Sequence, residues 1–305
     1  MEKHKKKKKT SKMRVAFILF CITVPIANFL IFYLYTNFSS IIMAFTNSQG
    51  ELSLDNFARF GRELMNTESD LRIAIKNTLI TFGIMFVTFP FKVLVSYFIY
   101  KKIPGYNFYR IVFFLPTIIF SVAVAMVFTR MVGANGLIAE LVGKVAGLDY
   151  VPELLADSRF ANLTIWFNMI WLSFPGDLII WGGTFARIPE DVLEFAKLDG
   201  VTWWTEFTKI IVPMVWPTVA LQMVLLVCGL FGSTGQVWLL TQGQYGTHTI
   251  ASWMYKMLYE YSGGAYKSNI YNYLSAVGLI ITTAAVILST IVRKWTDKAF
   301  TEVEF

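Results

Sequence analysis

Charged residues are scarce in this chain of 305 residues: they make up 15% of it, whereas hydrophobic residues make up 55%. A soluble globular domain is nearer a quarter charged, so the composition excludes an ordinary soluble fold and indicates a membrane protein. The two cysteines, Cys21 and Cys228, are too few for a disulfide framework, and we interpret them as small core hydrophobes. The two histidines, His4 and His248, have no metal-ligating partner at a suitable spacing, so no metal site is predicted.

A phosphate-cradling Gly-x-x-x-x-Gly-Lys-Ser/Thr loop is also missing, so the chain is not expected to bind ATP itself. The net charge of +7 could suggest nucleic acid, but much of it lies in a basic leader over residues 1–14. A basic leader that stops where an apolar run begins is a topology signal and is attracted to anionic lipid. We therefore predict no nucleic-acid partner, and we interpret the first apolar run as a retained anchor.

Six apolar runs are long enough to cross a bilayer, which takes about 20 residues of helix. Each run is too long for a barrel strand, so the predicted fold class is an all-α polytopic membrane protein. The predicted transmembrane domain covers 15–295, and a tail follows over 296–305. The predicted spans are 15–35, 77–100, 111–129, 162–186, 214–238 and 270–292.

The positive-inside rule gives an orientation for these spans. If the N-terminus is cytoplasmic, six crossings return the C-terminus to the cytoplasm. Seventeen of the 27 Lys and Arg residues then lie on the cytoplasmic side and nine outside, although the outside loops are longer. This orientation also places the polar segment 189–206 in the cytoplasm.

The segment 189–206 is charged, yet it lies between two long apolar runs. Pro189 suits the first turn of a helix, Gly200 permits a turn, and Trp203 and Trp204 begin a second short helix. Helical spacing groups Val192, Phe195, Ala196 and Asp199 on one face and leaves Glu190, Asp191, Glu194 and Lys197 for water or a partner. Amphipathicity alone favours an interfacial helix with its Trp residues at headgroup level.

The segment resembles the cytoplasmic coupling motif of binding-protein-dependent ABC importer permeases. Five residues fall at the offsets of that motif: Glu194, Ala196, Gly200, Ile210 and Pro213. Two positions depart from it, because Phe195 replaces the middle Ala and Val212 stands where Leu usually precedes the Pro.

Other stretches resemble the carbohydrate branch of that family, in particular its maltose-type first permease. They are Asn77-Thr78, Tyr109-Arg110 with Phe114-Leu115-Pro116, Asn135-Gly136-Leu137-Ile138, and Leu240-Thr241-Gln242-Gly243 with Thr249 and Tyr255. The similarity covers roughly residues 13–295. It implies a type I ABC importer permease bundle of six transmembrane helices with a cytoplasmic coupling helix.

The resemblance also implies function and partners. A second permease subunit completes the path, a cytoplasmic ATPase dimer holds ATP and Mg, and an extracytoplasmic solute-binding protein delivers a sugar. This chain itself is then neither an enzyme nor a cofactor-binding protein. The residues implied in ATPase coupling are Glu190, Glu194, Phe195, Ala196, Asp199 and Gly200.

Sugar recognition needs hydrogen-bonding groups and aromatic faces in a watery cavity. The middles of the fourth and fifth spans line the path in the family, and the candidates there are Asn168, Trp171, Ser173, Gly176, Gly229, Ser233 and Gln236. Small and polar residues in membrane helices are also commonly packing contacts, so a structural role is the competing interpretation.

Lys92 and Asp177 are charges inside the predicted second and fourth spans, where each is expensive in hydrocarbon. Lys92 precedes Lys101 by nine residues and Asp177 precedes Arg187 by ten, which gives both a depth of about 15 Å. We predict that they form a structural ion pair. The alternative is a proton relay in an ion-coupled secondary transporter, which predicts an inverted repeat and discontinuous spans. A membrane-embedded enzyme would need clustered His, Asp or Glu, and a channel would need a filter or a charged ring.

Overall fold

The computed structural model describes residues 12–147, 153–232, 235–260 and 267–299. Within these ranges the chain is helical, and extended pairing is confined to one isolated bridge between Thr46 and Leu52. The first five helices are α1 (Lys12–Asn28), α2 (Thr36–Ala44, joined to α1 by a π-helical stretch Phe29–Tyr35), α3 (Asp55–Met65), α4 (Asp70–Tyr100) and α5 (Tyr106–Ile118). The next five are α6 (Ser121–Val132), α7 (Leu137–Ala146), α8 (Ala161–Phe185), α9 (Glu190–Leu198) and α10 (Trp203–Glu206). After a π-helical stretch Phe207–Ile211 come α11 (Val212–Met214), α12 (Trp216–Gly229), α13 (Gly235–Thr241), α14 (Ile250–Glu260) and α15 (Lys267–Ala299).

Five helical stretches of the described chain are long and apolar enough to cross a membrane: Phe17–Ala44, Asp70–Tyr100, Ser121–Val145, Ala161–Phe185 and Asn269–Ala299. A sixth crossing is obtained if Trp203–Met214 and Trp216–Gly229, which meet at 75°, form one bent span. With that bent pair counted as one span the candidates number six, which is the predicted number, but two of the predicted spans are interrupted.

The interruptions lie in the predicted third and fifth spans. The third is divided between α5 and α6, because Ile119 adopts an extended conformation after the helix that contains Pro116. The fifth is bent at Val215, next to a helix with Pro217 in its first turn, and α12 ends at Gly229 instead of continuing to 238. Proline cannot donate a hydrogen bond to the preceding turn, so Pro217 accounts for the bend just before it at Val215.

The chain divides into two compact units, one of residues 1–60 with 263–279 and the other of residues 61–262 with 280–305. In the first unit, Asn272 donates through Nδ2 to the carbonyl of Asn47 at 3.2 Å, and the guanidinium of Arg59 lies 4.0 Å from the ring centroid of Tyr273. The second unit contains α4, α8 and the segment 189–206.

Both cysteines differ from the prediction. Cys21 and Cys228 are exposed on the chain rather than buried in a core. Each cysteine lies on a strongly apolar helix. Its hydrophobic surroundings are therefore expected outside this chain, in lipid or a neighbouring subunit, and not in the chain's own core.

Candidate functional site

Residues 189–206, which resemble the coupling motif and are called the coupling segment below, form two short helices joined by a tight turn. Helix α9 ends at Asp199 in a Schellman motif: the N–H of Val201 donates to the carbonyl of Ala196 at 3.0 Å, and that of Gly200 donates to Lys197 at 3.1 Å. Gly200 has φ +66°, a left-handed conformation that side chains with a Cβ disfavour. Thr202 then caps α10 by accepting a hydrogen bond from the N–H of Thr205.

Leu193 and Ala196 form the buried face of α9. Phe195 is 67% exposed and Leu198 is 82% exposed, although both are large and apolar. The sequence prediction that grouped Phe195 and Asp199 with Ala196 on an inner face was wrong. The helix turns about 100° per residue, so once Leu193 faces inward, Phe195 lies on the opposite side. Glu190, Asp191, Glu194 and Lys197 are exposed, as predicted.

The buried face of the coupling segment belongs to an apolar cluster shared with α4 and α8. Leu193 and Phe207 pack there with Tyr97 from α4 and with Trp181 and Phe185 from α8. The Tyr97 ring centroid lies 5.2 Å from that of Phe207 and 6.3 Å from that of Phe185. Close-packed aromatic rings of this kind leave little freedom to slide, so displacement of the segment is expected to move α4 and α8 with it.

An ion pair adds to this attachment. Glu206, only 5% exposed, places Oε1 2.5 Å from Nζ of Lys101 at the end of α4, without the alignment of a good hydrogen bond. Because removal of either partner would leave an uncompensated charge in a poorly hydrated place, the pair fixes the relative position of α10 and α4.

The two intramembrane charges meet. Nζ of Lys92 on α4 lies 2.9 Å from Oδ2 of Asp177 on α8. The exposed fractions of the two side chains are 7% and 19%. The pair is located between the same two helices that hold the coupling segment.

Near the first turns of α4, Asn77 and Thr78 form hydrogen bonds with the loop over residues 246–250. Asn77 donates through Nδ2 to the carbonyls of Gly246 at 2.7 Å and His248 at 2.9 Å. The hydroxyl of Thr78 accepts from the N–H of Ile250 at 2.9 Å. These residues, with Asn162 donating to the same Gly246 carbonyl at 3.2 Å, form what we call the Asn77 bracket. The bracket joins two of the stretches on which the family resemblance depends.

His248 is the residue of the bracket that sequence reasoning missed. It is 5% exposed and its Nδ1 has no hydrogen-bond partner among the described residues. Burial lowers the pKa of His248, and the nearby charge of Lys256 lowers it further, whereas Asp70 and Glu260 oppose the shift. A Cβ on Gly243, where φ is +75°, would come 2.2 Å from Nδ1 of His248, so the ring and this glycine fit only together.

Comparison with known proteins identifies the family. A model described as the binding-protein-dependent transport system inner membrane component matches residues 72–302. The chain belongs to this family. It is therefore the membrane permease subunit of an ABC importer and not an enzyme, since ATP hydrolysis in such importers takes place on separate subunits.

Relatives match along most of the permease. The multiple sugar-binding transport system permease protein MsmF of Streptococcus mutans serotype c is 24% identical over 278 residues, which cover 90% of this chain and 93% of the relative. The lactose transport system permease protein LacF of Rhizobium radiobacter is 21% identical over 279 residues, covering 90% and 88% of the two chains.

A solved structure shares the permease's fold. A chain of a bacterial alginate ABC transporter, crystallised in complex with alginate pentasaccharide-bound periplasmic protein, superposes with a TM-score of 0.79. It is 22% identical in sequence, and the match covers 96% of this chain and 98% of that one. The fold is thus that of a type I ABC importer permease, as the sequence predicted. None of these comparisons supports the ion-coupled secondary transporter.

The predicted path residues that the structure describes differ in their surroundings. Asn168 is fully buried and neither of its amide atoms has a hydrogen-bond partner among the described residues. Ser173 donates to the carbonyl of Ile170, one turn back on its own helix, at 2.6 Å. Trp171 and Gln236 are half-buried, and Gly176 and Gly229 are exposed. Ser233 lies outside the described residues.

Proposed function

We propose that this permease forms one half of the translocation path for a sugar or oligosaccharide. An extracytoplasmic binding protein delivers the solute, and a second permease subunit supplies the other half. The printed names of the relatives support the substrate class, because MsmF and LacF are named for sugar transport and the structural neighbour imports alginate.

The observation that carries the proposal is the geometry of the coupling segment. It is attached to α4 and α8 through Leu193 and the adjoining Phe207. The side chains of Phe195 and Leu198 are exposed on its surface. Exposed large apolar residues on a charged helix are typical of a protein contact. The partner that fits this surface is a cleft on the cytoplasmic ATPase.

The mechanism follows from that attachment. ATP and Mg bind to the ATPase dimer, and its closure moves the two coupling segments of the permease pair. Each segment carries the inner ends of α4 and α8 with it, because the shared aromatic cluster and the Lys101–Glu206 pair resist sliding. The path thereby alternates between inward and outward access. No part of this cycle requires chemistry on the permease.

The proposed orientation places the coupling segment, the leader and the C-terminus in the cytoplasm, as the positive-inside rule predicts. The Asn77 bracket, at the opposite end of α4, then lies outside. Asn168 is the path residue with the clearest structural argument, because a fully buried amide without a partner among the described residues is costly unless water satisfies it, or solute once the path opens.

Co-purification tests the proposal. The tagged permease is extracted gently from membranes as wild type, Glu194→Lys and Gly200→Asp, with Glu68→Lys as a matched charge reversal at the far end of α4. We expect an ATPase with a phosphate-cradling loop to accompany the wild type and Glu68→Lys, and to be lost from the other two. If well-folded wild type brings down no ATPase, the proposal is wrong. The sugar is then identified from the solute carried by the co-purified binding protein.

A further inference from the structure

A cavity of about 350 Å³ lies between the end of α4, the start of α5 and the last turns of α8. All three elements belong to the second compact unit. The cavity is separate from the predicted path residues, and it opens at the end of the bundle that carries the coupling segment. Its lining contains two cationic side chains together with several apolar ones.

Lys102 and Arg110 supply the positive charge. Within the described ranges neither has an acidic group within 4.0 Å. The neighbouring Lys101 is different, because it is paired with Glu206. Two consecutive lysines therefore have separate surroundings: one is neutralised by the coupling segment and the other lines the cavity without a counter-ion.

Lys102 lines the cavity from a backbone conformation that is unfavourable for a residue with a Cβ. Its φ is +53°, a left-handed conformation that is uncommon for a residue with a Cβ. Glycine or asparagine would fit this turn more easily. Such outliers concentrate at functional sites, where surrounding structure maintains them.

Apolar side chains lie beside the two cations. Phe114, Leu178 and Ile179 line the cavity, and the ring of Phe114 lies 5.9 Å from the guanidinium of Arg110. Gly182 and Gly183 form part of the lining, and a Cβ built on either would meet no atom within 4 Å. The space beside these glycines is therefore free to accept an alkyl chain.

We propose that this cavity binds an anionic phospholipid. The phosphate contacts Lys102 and Arg110, and an acyl chain follows Phe114, Leu178 and Ile179 beside the two glycines. A free phosphate would satisfy the cations but would leave the apolar side chains without a partner, which favours the lipid. The lysine and arginine lie between two spans, at the level where a headgroup meets the end of a helix bundle.

Native mass spectrometry of the intact importer in mild detergent tests this site. Phosphatidylglycerol is titrated against phosphatidylcholine into the wild type and into Lys102→Gln/Arg110→Gln. Lys294→Gln/Lys298→Gln is the matched control, because it removes two exposed positive charges from the end of α15. We expect retained phosphatidylglycerol in the wild type and the control, and affinity weakened about 30-fold in the cavity variant.

A second variant and a competing ligand distinguish a lipid site from a simple phosphate site. Gly182→Leu fills the open space without removing charge, so it should displace the lipid while the importer stays assembled. Glycerol 3-phosphate carries the headgroup chemistry without a chain. If it displaces the lipid at equal concentration, the site is a phosphate site and the lipid proposal is wrong. Equal lipid retention in the wild type and both cavity variants would also overturn it.

Discussion

Lys92 and Asp177 form an ion pair between α4 and α8, with Nζ 2.9 Å from Oδ2. Each charge alone would be expensive at this depth of an apolar bundle, whereas the pair neutralises both. The same two helices hold the coupling segment at their ends, so in the proposed function the pair keeps their relative position fixed where force is transmitted. A structural brace of this kind has different consequences from a proton relay.

We therefore expect Lys92→Met and Asp177→Asn each to destabilise the permease by about 3–5 kcal/mol, because each leaves an unpaired buried charge. The double variant Lys92→Met/Asp177→Asn should recover most of that loss, because neither charge is then left unpaired. The measurement is the fraction of monodisperse protein after heating in detergent. Losses that simply add in the double variant would show that the two residues do not act as a pair.

Gly200 gives a prediction about the coupling segment alone. Gly200→Ala should destabilise the turn by about 1–2 kcal/mol from backbone strain, since no atom lies within 4 Å of the added Cβ. Gly200→Asn should cost less, because asparagine tolerates this conformation. Hydrogen exchange at Val201, whose N–H is bonded to Ala196, measures the effect. Gly61→Ala, inside α3, is the control and should leave that exchange rate unchanged.

The Asn77 bracket predicts a local effect at the other end of α4. Asn77→Ala removes two hydrogen bonds and leaves the His248 carbonyl without its donor, whereas the Gly246 carbonyl keeps the longer bond from Asn162, a loss of about 2–3 kcal/mol. Proteolysis and hydrogen exchange over residues 244–248 should both become faster. Asn162→Ala removes only one longer bond to the same loop and should have a smaller effect. Equal effects of the two variants would contradict the assignment of Asn77 as the main contact.

His248 predicts a pH dependence. Its pKa is lowered in the folded protein, mainly by burial, so between the folded pKa and about pH 6.5 the unfolded chain binds more protons. Stability should therefore be full above pH 6.5 and fall as the pH is lowered through the folded pKa. Thermal unfolding between pH 7.5 and 5 measures the slope. His248→Leu should flatten it in that window, and an unchanged slope would assign the effect to another group.

Sequence reasoning reached the ion pair because depth along a span can be counted from its charged end. It missed the Asn77 bracket, because nothing in the order of residues shows that Asn77 and Gly246, 169 positions apart, are in contact. The predicted inner face of α9 was wrong because helical spacing alone does not show that Leu193, rather than Phe195, packs against the bundle. The breaks at Ile119 and Val215 occur within uniformly apolar runs, so hydropathy could not locate them.

The path residues show a different limit. Asn168 is buried by its own chain, yet its amide has no hydrogen-bond partner among the described residues. The sequence identifies polar residues within the spans, but it does not show which groups they contact.

Photo-crosslinking from the coupling segment tests the central claim most directly. A benzophenone amino acid replaces Phe195, which is 67% exposed, and in a control it replaces Val145 on α7, which is 90% exposed. We predict that the Phe195 position in intact membranes yields a covalent product with a cytoplasmic ATPase, and that the Val145 position does not. A folded permease that gives no ATPase product from Phe195, or gives the same product from Val145, would contradict the account.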